Sequence, residues 1–197
     1  MLKVGITGGI GSGKTTVCKI FETLGIPVYY ADDRAKWLMT HDSELVEAIS
    51  NAFGREAYSP EGQLNRAYLA KVVFGDDEKL GQLNALVHPA VFRDGSQWHH
   101  SQTGAPYTLR EAALLFESGS YRAIDKMIVV AAPLPVRIKR VMERDQVTEA
   151  AVMARIEKQW PEEEKVKRAD FVIFNSGERL LVPQVLEIHR SLISLPV

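Results

Sequence analysis

Near its N-terminus the chain reads Gly8-Gly9-Ile10-Gly11-Ser12-Gly13-Lys14-Thr15, a match to G-x-x-x-x-G-K-S/T. This feature constrains the fold most, because the motif requires a strand before it and a helix after it. Leu2, Val4 and Ile6 alternate with Lys3, Gly5 and Thr7 as a short strand would, and Thr15 to Phe21 continues with helix-compatible spacing. In that context glycines let backbone N–H groups wrap a phosphate without Cβ obstruction. The helix N-terminus adds a favourable dipole. Lys14 supplies a mobile cation for the β- and γ-phosphates and Thr15 a hydroxyl for Mg²⁺. Gly9, Gly11, Ser12, Gly13 and Thr16 complete the expected contacts of this loop. A dinucleotide fingerprint fails, because after Gly9-Ile10-Gly11 the next required glycine falls on Lys14. The residues imply a nucleoside triphosphate site.

At 197 residues the chain suits one compact domain with room for a small appended subdomain. A chain of this size buries roughly 70% of its unfolded surface, so no disulfide or metal staple is needed. A net charge of -1 leaves no general electrostatic footprint for nucleic acid or an anionic membrane, so any anion site is local. Cys18 is the only cysteine, which excludes an internal disulfide and fits a reducing compartment. It reads as a small core residue of the first helix. No apolar run approaches the roughly 18 residues of a spanning helix, and the N-terminus is strand and loop, not a signal peptide. The expectation is a soluble, cytoplasmic monomer with neither nucleic acid nor membrane as partner.

Gly25-Ile26-Pro27 ends the first helix, and Val28-Tyr29-Tyr30 reads as a second strand. From Asp32 to about His100 the pattern is mostly helical, with stripes at Ala35, Leu38 and Met39 and at Leu45, Val46, Ile49 and Phe53. The turn signal Ser59-Pro60-Glu61-Gly62 lies in a loop, after which Leu69, Val72, Val73, Leu80, Leu83, Leu86 and Val87 resume helical spacing. So long a helical stretch between strands predicts an inserted helical subdomain. Tyr107 to Leu109 reads as a strand, Ala113 to Phe116 as a further apolar segment, and Lys126 to Ala132 as the clearest buried strand. Two arginine-containing helices follow at Val136 to Arg144 and Thr148 to Gln159, then a strand at Asp170 to Phe174 and a closing helix from about Glu178 to Leu195. The alternation predicts a three-layer α/β fold with a mostly parallel five-stranded sheet.

The loop alone does not separate motor, switch and kinase. There is no Asn-Lys-x-Asp for guanine and no Asp-x-x-Gly switch, which weighs against a GTPase. The strand at Met127 to Ala132 does not end in an acid, which disfavours motor ATPases whose strand-end Asp helps hold Mg²⁺. Asp32 and Asp33 stand where the second strand gives way to helix, at the sheet edge where α/β proteins bind ligands. A carboxylate there can orient an acceptor hydroxyl, or it can simply cap the helix. Arg140, Arg144 and Arg155 can supply a cation over a migrating phosphate, although spacing alone favours a solvated helix face. Glu162-Glu163-Glu164 with Lys165, Lys167 and Arg168 reads as a structural helix whose charges match its dipole. His88, His99 and His100 lack the spacing of a zinc site.

Taken together, Thr7 to Thr16, Ala31-Asp32, His88-Pro89, Leu114-Leu115-Phe116-Glu117, Arg140 with Arg144-Asp145, Arg155 with Gln159, and Ala169 to Ile173 leading to Asn175 resemble the dephospho-coenzyme A kinases. The likeness runs the length of the chain in order. It implies transfer of the ATP γ-phosphoryl to the ribose 3′-hydroxyl of dephospho-coenzyme A, the last step of coenzyme A synthesis, with ATP and Mg²⁺. It also implies a P-loop kinase fold whose nucleotide-binding core spans about 1–30 and 105–197. A helical coenzyme-binding subdomain would span about 31–100 and a lid about 140–168. Position by position, Lys14 and Thr15 would serve the phosphates and Mg²⁺, Asp32 the acceptor hydroxyl, Arg140 the transferred phosphoryl and Asn175 the adenine region. Thr7, His88, Leu114 and Glu117 would bind the acceptor. Two positions depart from the family: Tyr30 stands where an acid is common, and Ala113 where proline is. The alternatives are a different small-molecule kinase on the same core, and a nucleotide-dependent binding module that turns nothing over.

Overall fold

A computed structural model describes residues 1–195; residues 196–197, the end of the expected 105–197 core segment, lie outside it. Five strands, β1 (Leu2–Thr7), β2 (Val28–Tyr30), β3 (Tyr107–Glu111), β4 (Lys126–Ala131) and β5 (Phe171–Phe174), form one sheet in the order β2-β3-β1-β4-β5. Every pairing is parallel, with Ile6 opposite both Glu111 and Ile128. Parallel strands need crossovers, and the helices that supply them cover both faces.

Side chains alternate across a strand, so β4 serves two cores at once. Ile128 and Val130 join Val4, Ile6, Leu109 and Ile173 beneath α1 (Lys14–Thr23) and α9 (Leu181–Ile193), which contribute Val17, Cys18, Phe21, Val185, Ile188 and Leu192. Met127 and Val129 face the other way, packing with Leu115, Phe116, Trp160, Val166 and Ala169. The fold is thus three-layered α/β. The second layer of helices comprises α6 (Leu134–Asp145), α7 (Glu149–Ile156) and the short α8 (Glu162–Lys167).

The chain divides into two compact units, one of residues 1–30 and 99–197, the other of residues 31–98. The second is helical: α2 (Ala31–His41), α3 (Ser43–Phe53), α4 (Arg66–Val73) and most of α5 (Asp77–Ser101). Asp42 and Asn65 cap α3 and α4 by accepting from Leu45 N and Tyr68 N. Leu38, Leu45, Ile49, Phe53, Leu69 and Val87 are buried. Arg34 donates two hydrogen bonds to Asp94, at 2.9 and 2.6 Å, crossing from α2 to α5. The helical pattern read from sequence to about His100 ends in α5, 25 residues long, which runs straight through Pro89. A proline in mid-helix removes one backbone bond, which the rest of a long helix can carry.

Candidate active site

The loop between β1 and α1 is built by glycine. Gly13 caps α1 in the left-handed region at φ 94° and, being glycine, offers no side chain to hydrogen-bond the helix N-terminus. Any Cβ at Gly13 would collide with the Asn175 amide, and one at Gly11 would lie 2.5 Å from the Arg137 carbonyl. The loop thus forms a cradle of N–H groups at a positive helix end, which suits a polyphosphate. The Ser12 hydroxyl oxygen is fully buried in it with no partner among the described residues.

Three of the expected functional side chains converge here. Lys14 Nζ donates to the Gly8 and Gly9 carbonyls at 3.1 and 3.5 Å. Arg140, from α6, reaches Gly11 O at 3.5 Å and Asn175 Oδ1 at 3.3 Å, while Asn175 Nδ2 donates to Ser12 O at 2.8 Å. Asn175 follows β5 directly, so strand-end topology delivers it to the loop from the side opposite β3. Arg144 and Arg155 are engaged elsewhere: both hold Asp145, at 2.7 and 2.8 Å, and chiefly the Arg144 hydrogen bonds bring that carboxyl down to about 2. Of Arg140, Arg144 and Arg155, Arg140 is therefore the one that lies against the loop. Thr15 and Thr16 are exposed on the first turn of α1.

The remaining expected residues are each placed by their own element. The Thr7 hydroxyl, fully buried, donates to Ala113 O at 3.4 Å. In the segment after β3, Leu114 is exposed, whereas Glu117 turns inward and accepts from Trp160 N at 2.8 Å. Asp32 stands in the first turn of α2, two residues past the end of β2. It is exposed, as is Asp33, which pairs with Lys36 at 2.8 Å. His88 is exposed on α5.

The dephospho-CoA kinase family model matches residues 2–180. A dephospho-CoA kinase of Salinibacter ruber is 44% identical over 90% of each chain. The crystal structure of TT1252 from Thermus thermophilus superposes with a TM-score of 0.83 at 37% identity over 96% of both chains. A dephospho-CoA kinase from Campylobacter jejuni gives 0.69 at 28% identity, again over 96% of both. The chain belongs to the dephospho-CoA kinase family.

Within this dephospho-CoA kinase fold, sequence reasoning missed four residues. β4 does not end in an acid, but β3, the other neighbour of β1, ends in Glu111, which is 7% exposed. The strand-end argument against a motor ATPase thereby fails, and membership of the kinase family carries that exclusion instead. Glu111 leaves a mark on its surroundings: burial first, then its charge, push the Cys18 thiol far up. Its signal was available, two residues beyond Leu109. Arg137 is 7% exposed and lies against Gly9, paired with Glu162 at 3.6 Å. Lys165, read only as one charge of a structural helix matched to its dipole, is fully buried and paired with Glu117 at 2.7 Å. Gln159, noted only within the family resemblance, accepts from Ile10 N at 2.9 Å.

Proposed function

We propose that this chain transfers the γ-phosphoryl of ATP to the ribose 3′-hydroxyl of dephospho-coenzyme A, giving coenzyme A and ADP. The observation that carries the reading is the convergence of Lys14, Arg140 and Asn175 on the glycine loop, in a chain of this family. Lys14 and Arg140 rest on loop carbonyls, and ionic contacts to phosphate oxygens are stronger than those they would replace. They are thus poised to swing onto a triphosphate cradled by Gly9, Gly11, Ser12, Gly13 and the N–H groups of Lys14, Thr15 and Thr16. Asn175 borders the adenine end.

Mg²⁺, when bound, neutralises charge on the transferring phosphates. The Thr15 hydroxyl would hold it. No cluster of three or more His, Cys, Asp or Glu side chains among the described residues could cage a metal. That suits an ion which keeps most of its ligands as water and phosphate oxygens.

Asp32 orients the acceptor hydroxyl. The parallel strands β2, β3 and β1 all end at one sheet edge, and Asp32 follows β2 by two residues. A ribose hydroxyl is a very weak acid, while a carboxylate is a weak base with a pKa of about 3.9. Early proton abstraction therefore fails on energetic grounds. In a loose transition state the proton leaves late, so Asp32 aims the hydroxyl and takes its proton as the new bond forms. Arg140 stabilises the migrating phosphoryl. Residues of about 31–100, including His88, hold the coenzyme, with Thr7 and the 114–117 segment on the acceptor side. Glu117 acts there by bracing the backbone. Residues of about 140–168 form a lid that keeps water from the reaction.

We place the enzyme in the cytoplasm as a monomer, consistent with its single buried cysteine; no helix among the described residues is long and apolar enough to cross a membrane. The test is a coupled ADP-release assay with dephospho-coenzyme A and nucleoside monophosphates as competing acceptors. Preference for the monophosphates would overturn the acceptor assignment, and absence of turnover would overturn the enzyme.

A further inference from the structure

Besides Asn175, one neutral side chain holds the backbone of the P-loop. Ile10 N, in the second turn of the loop, donates to the Gln159 side-chain carbonyl at 2.9 Å. The other end of the same amide, Nε2, donates to Ala113 O at 3.5 Å. That carbonyl also accepts from the hydroxyl of Thr7, the residue that opens the loop, at 3.4 Å. One side chain therefore joins the P-loop to the segment that follows β3. A glutamine suits this because it offers an acceptor and a donor on one terminus, whereas a carboxylate offers acceptors alone.

The backbone behind Gln159 is held from several sides. Gln159 N donates to Ile156 O at 2.9 Å, closing the end of α7. The next residue, Trp160, donates its N–H to Glu117 Oε1 at 2.8 Å and stacks its ring on Phe116 at 5.8 Å and 12°. Glu117 is paired in turn with the fully buried Lys165. The stretch 159–165, inside the expected lid, is thus strapped to 113–117.

Lys14 and Arg140 sit on loop carbonyls and can leave for phosphate; the Gln159 contact is neutral and has no such alternative. We propose that Gln159 is a positioning residue: it fixes the Gly9–Ile10 turn to the Ala113 carbonyl, so that nucleotide affinity depends on it without its touching the nucleotide. The proposal rests on reading the loop as the ATP site.

Three proteins, wild type, Gln159→Met and Gln159→Glu, test it with two readouts: calorimetric affinity for Mg·AMP-PNP and amide hydrogen exchange at Ile10. Methionine keeps the length but removes both hydrogen bonds. Affinity should fall about fivefold to tenfold, the scale of one neutral hydrogen bond, and Ile10 should exchange faster. Glutamate keeps the acceptor, so Ile10 protection should return. Affinity should stay low, because the new charge stands beside a polyanion site. A Gln159→Met protein with wild-type affinity, or with Ile10 protection unchanged, would overturn the proposal. If that variant does not fold, the glutamate variant decides: slow Ile10 exchange with weakened binding supports the proposal, and fast exchange overturns it. Failure of the wild type to bind Mg·AMP-PNP overturns the nucleotide reading itself, and that titration precedes any variant.

Discussion

Lys14, Asp32 and Arg140 carry the chemistry proposed for this fold, and each makes a different prediction. Lys14 lies on the loop carbonyls and not in the core, so Lys14→Ala should abolish most turnover while thermal melting stays near wild type. An unchanged kcat in a normally folded variant would refute its role. Asp32→Asn keeps shape but removes the proton acceptor, and kcat should drop about 10²–10⁴-fold. Asp33 is already paired with Lys36 at the surface, so Asp33→Asn should cost little; the reverse order in steady-state assays would show the register of this turn to be misassigned. Arg140→Ala should lower kcat by about 10³–10⁵, as for arginine fingers elsewhere. Lysine should rescue only in part, since it offers a point charge in place of a planar fork. A large loss of calorimetric ATP affinity with kcat preserved would make Arg140 a ground-state binding residue instead. The loop residues were readable because their chemistry is local: eight consecutive residues define both the turn and its ligand. Arg140 was not separable from Arg144 and Arg155 by spacing. What distinguishes it is long-range, namely Asp145 occupying the other two.

Helix α8 shows why elements can be legible while their burial is not. Its sequence, Glu162-Glu163-Glu164-Lys165-Val166-Lys167, follows the helix dipole and gives the element correctly. Nothing in that local run says which charge turns inward. Lys165 does, because its partner Glu117 lies on the connection after β3, 48 positions earlier in the chain. Two charges withdrawn from water stabilise little as a pair, but stranding one is costly. Lys165→Met should therefore destabilise the protein by about 3–5 kcal/mol in denaturant melts. Adding Glu117→Gln should recover much of that loss by removing the orphaned charge. If the double variant is no more stable than Lys165→Met alone, the pair is not what holds α8 to the sheet. At Pro89 the helical pattern read to about His100 outweighs a residue that usually stops a helix, and the proline is absorbed in mid-α5 because neighbouring turns keep their bonds.

The whole molecule separates its tasks along the chain, and ligand-induced stabilisation can read that separation. The nucleotide cradle, Arg140 and Asn175 belong to the unit of residues 1–30 and 99–197, while Asp32 and His88 belong to that of residues 31–98. A ligand at 100 times its Kd that binds only folded protein adds about 2.7 kcal/mol. For a chain of this length each kcal/mol is worth about 2–4 °C in Tm. Mg·AMP-PNP at that excess should therefore raise Tm by roughly 5–11 °C. Dephospho-coenzyme A should give its own shift of similar size at equal saturation. In Lys14→Ala the nucleotide shift should collapse, because the cation that neutralises the triphosphate is gone. The coenzyme shift should persist, because none of the residues proposed to hold the acceptor depends on Lys14. Scanning wild type and Lys14→Ala with each ligand alone makes the test a matrix of four measurements. Loss of both shifts together in a variant with an unchanged ligand-free Tm would mean that Lys14 also serves the acceptor. The division of labour proposed between the two units would then be wrong.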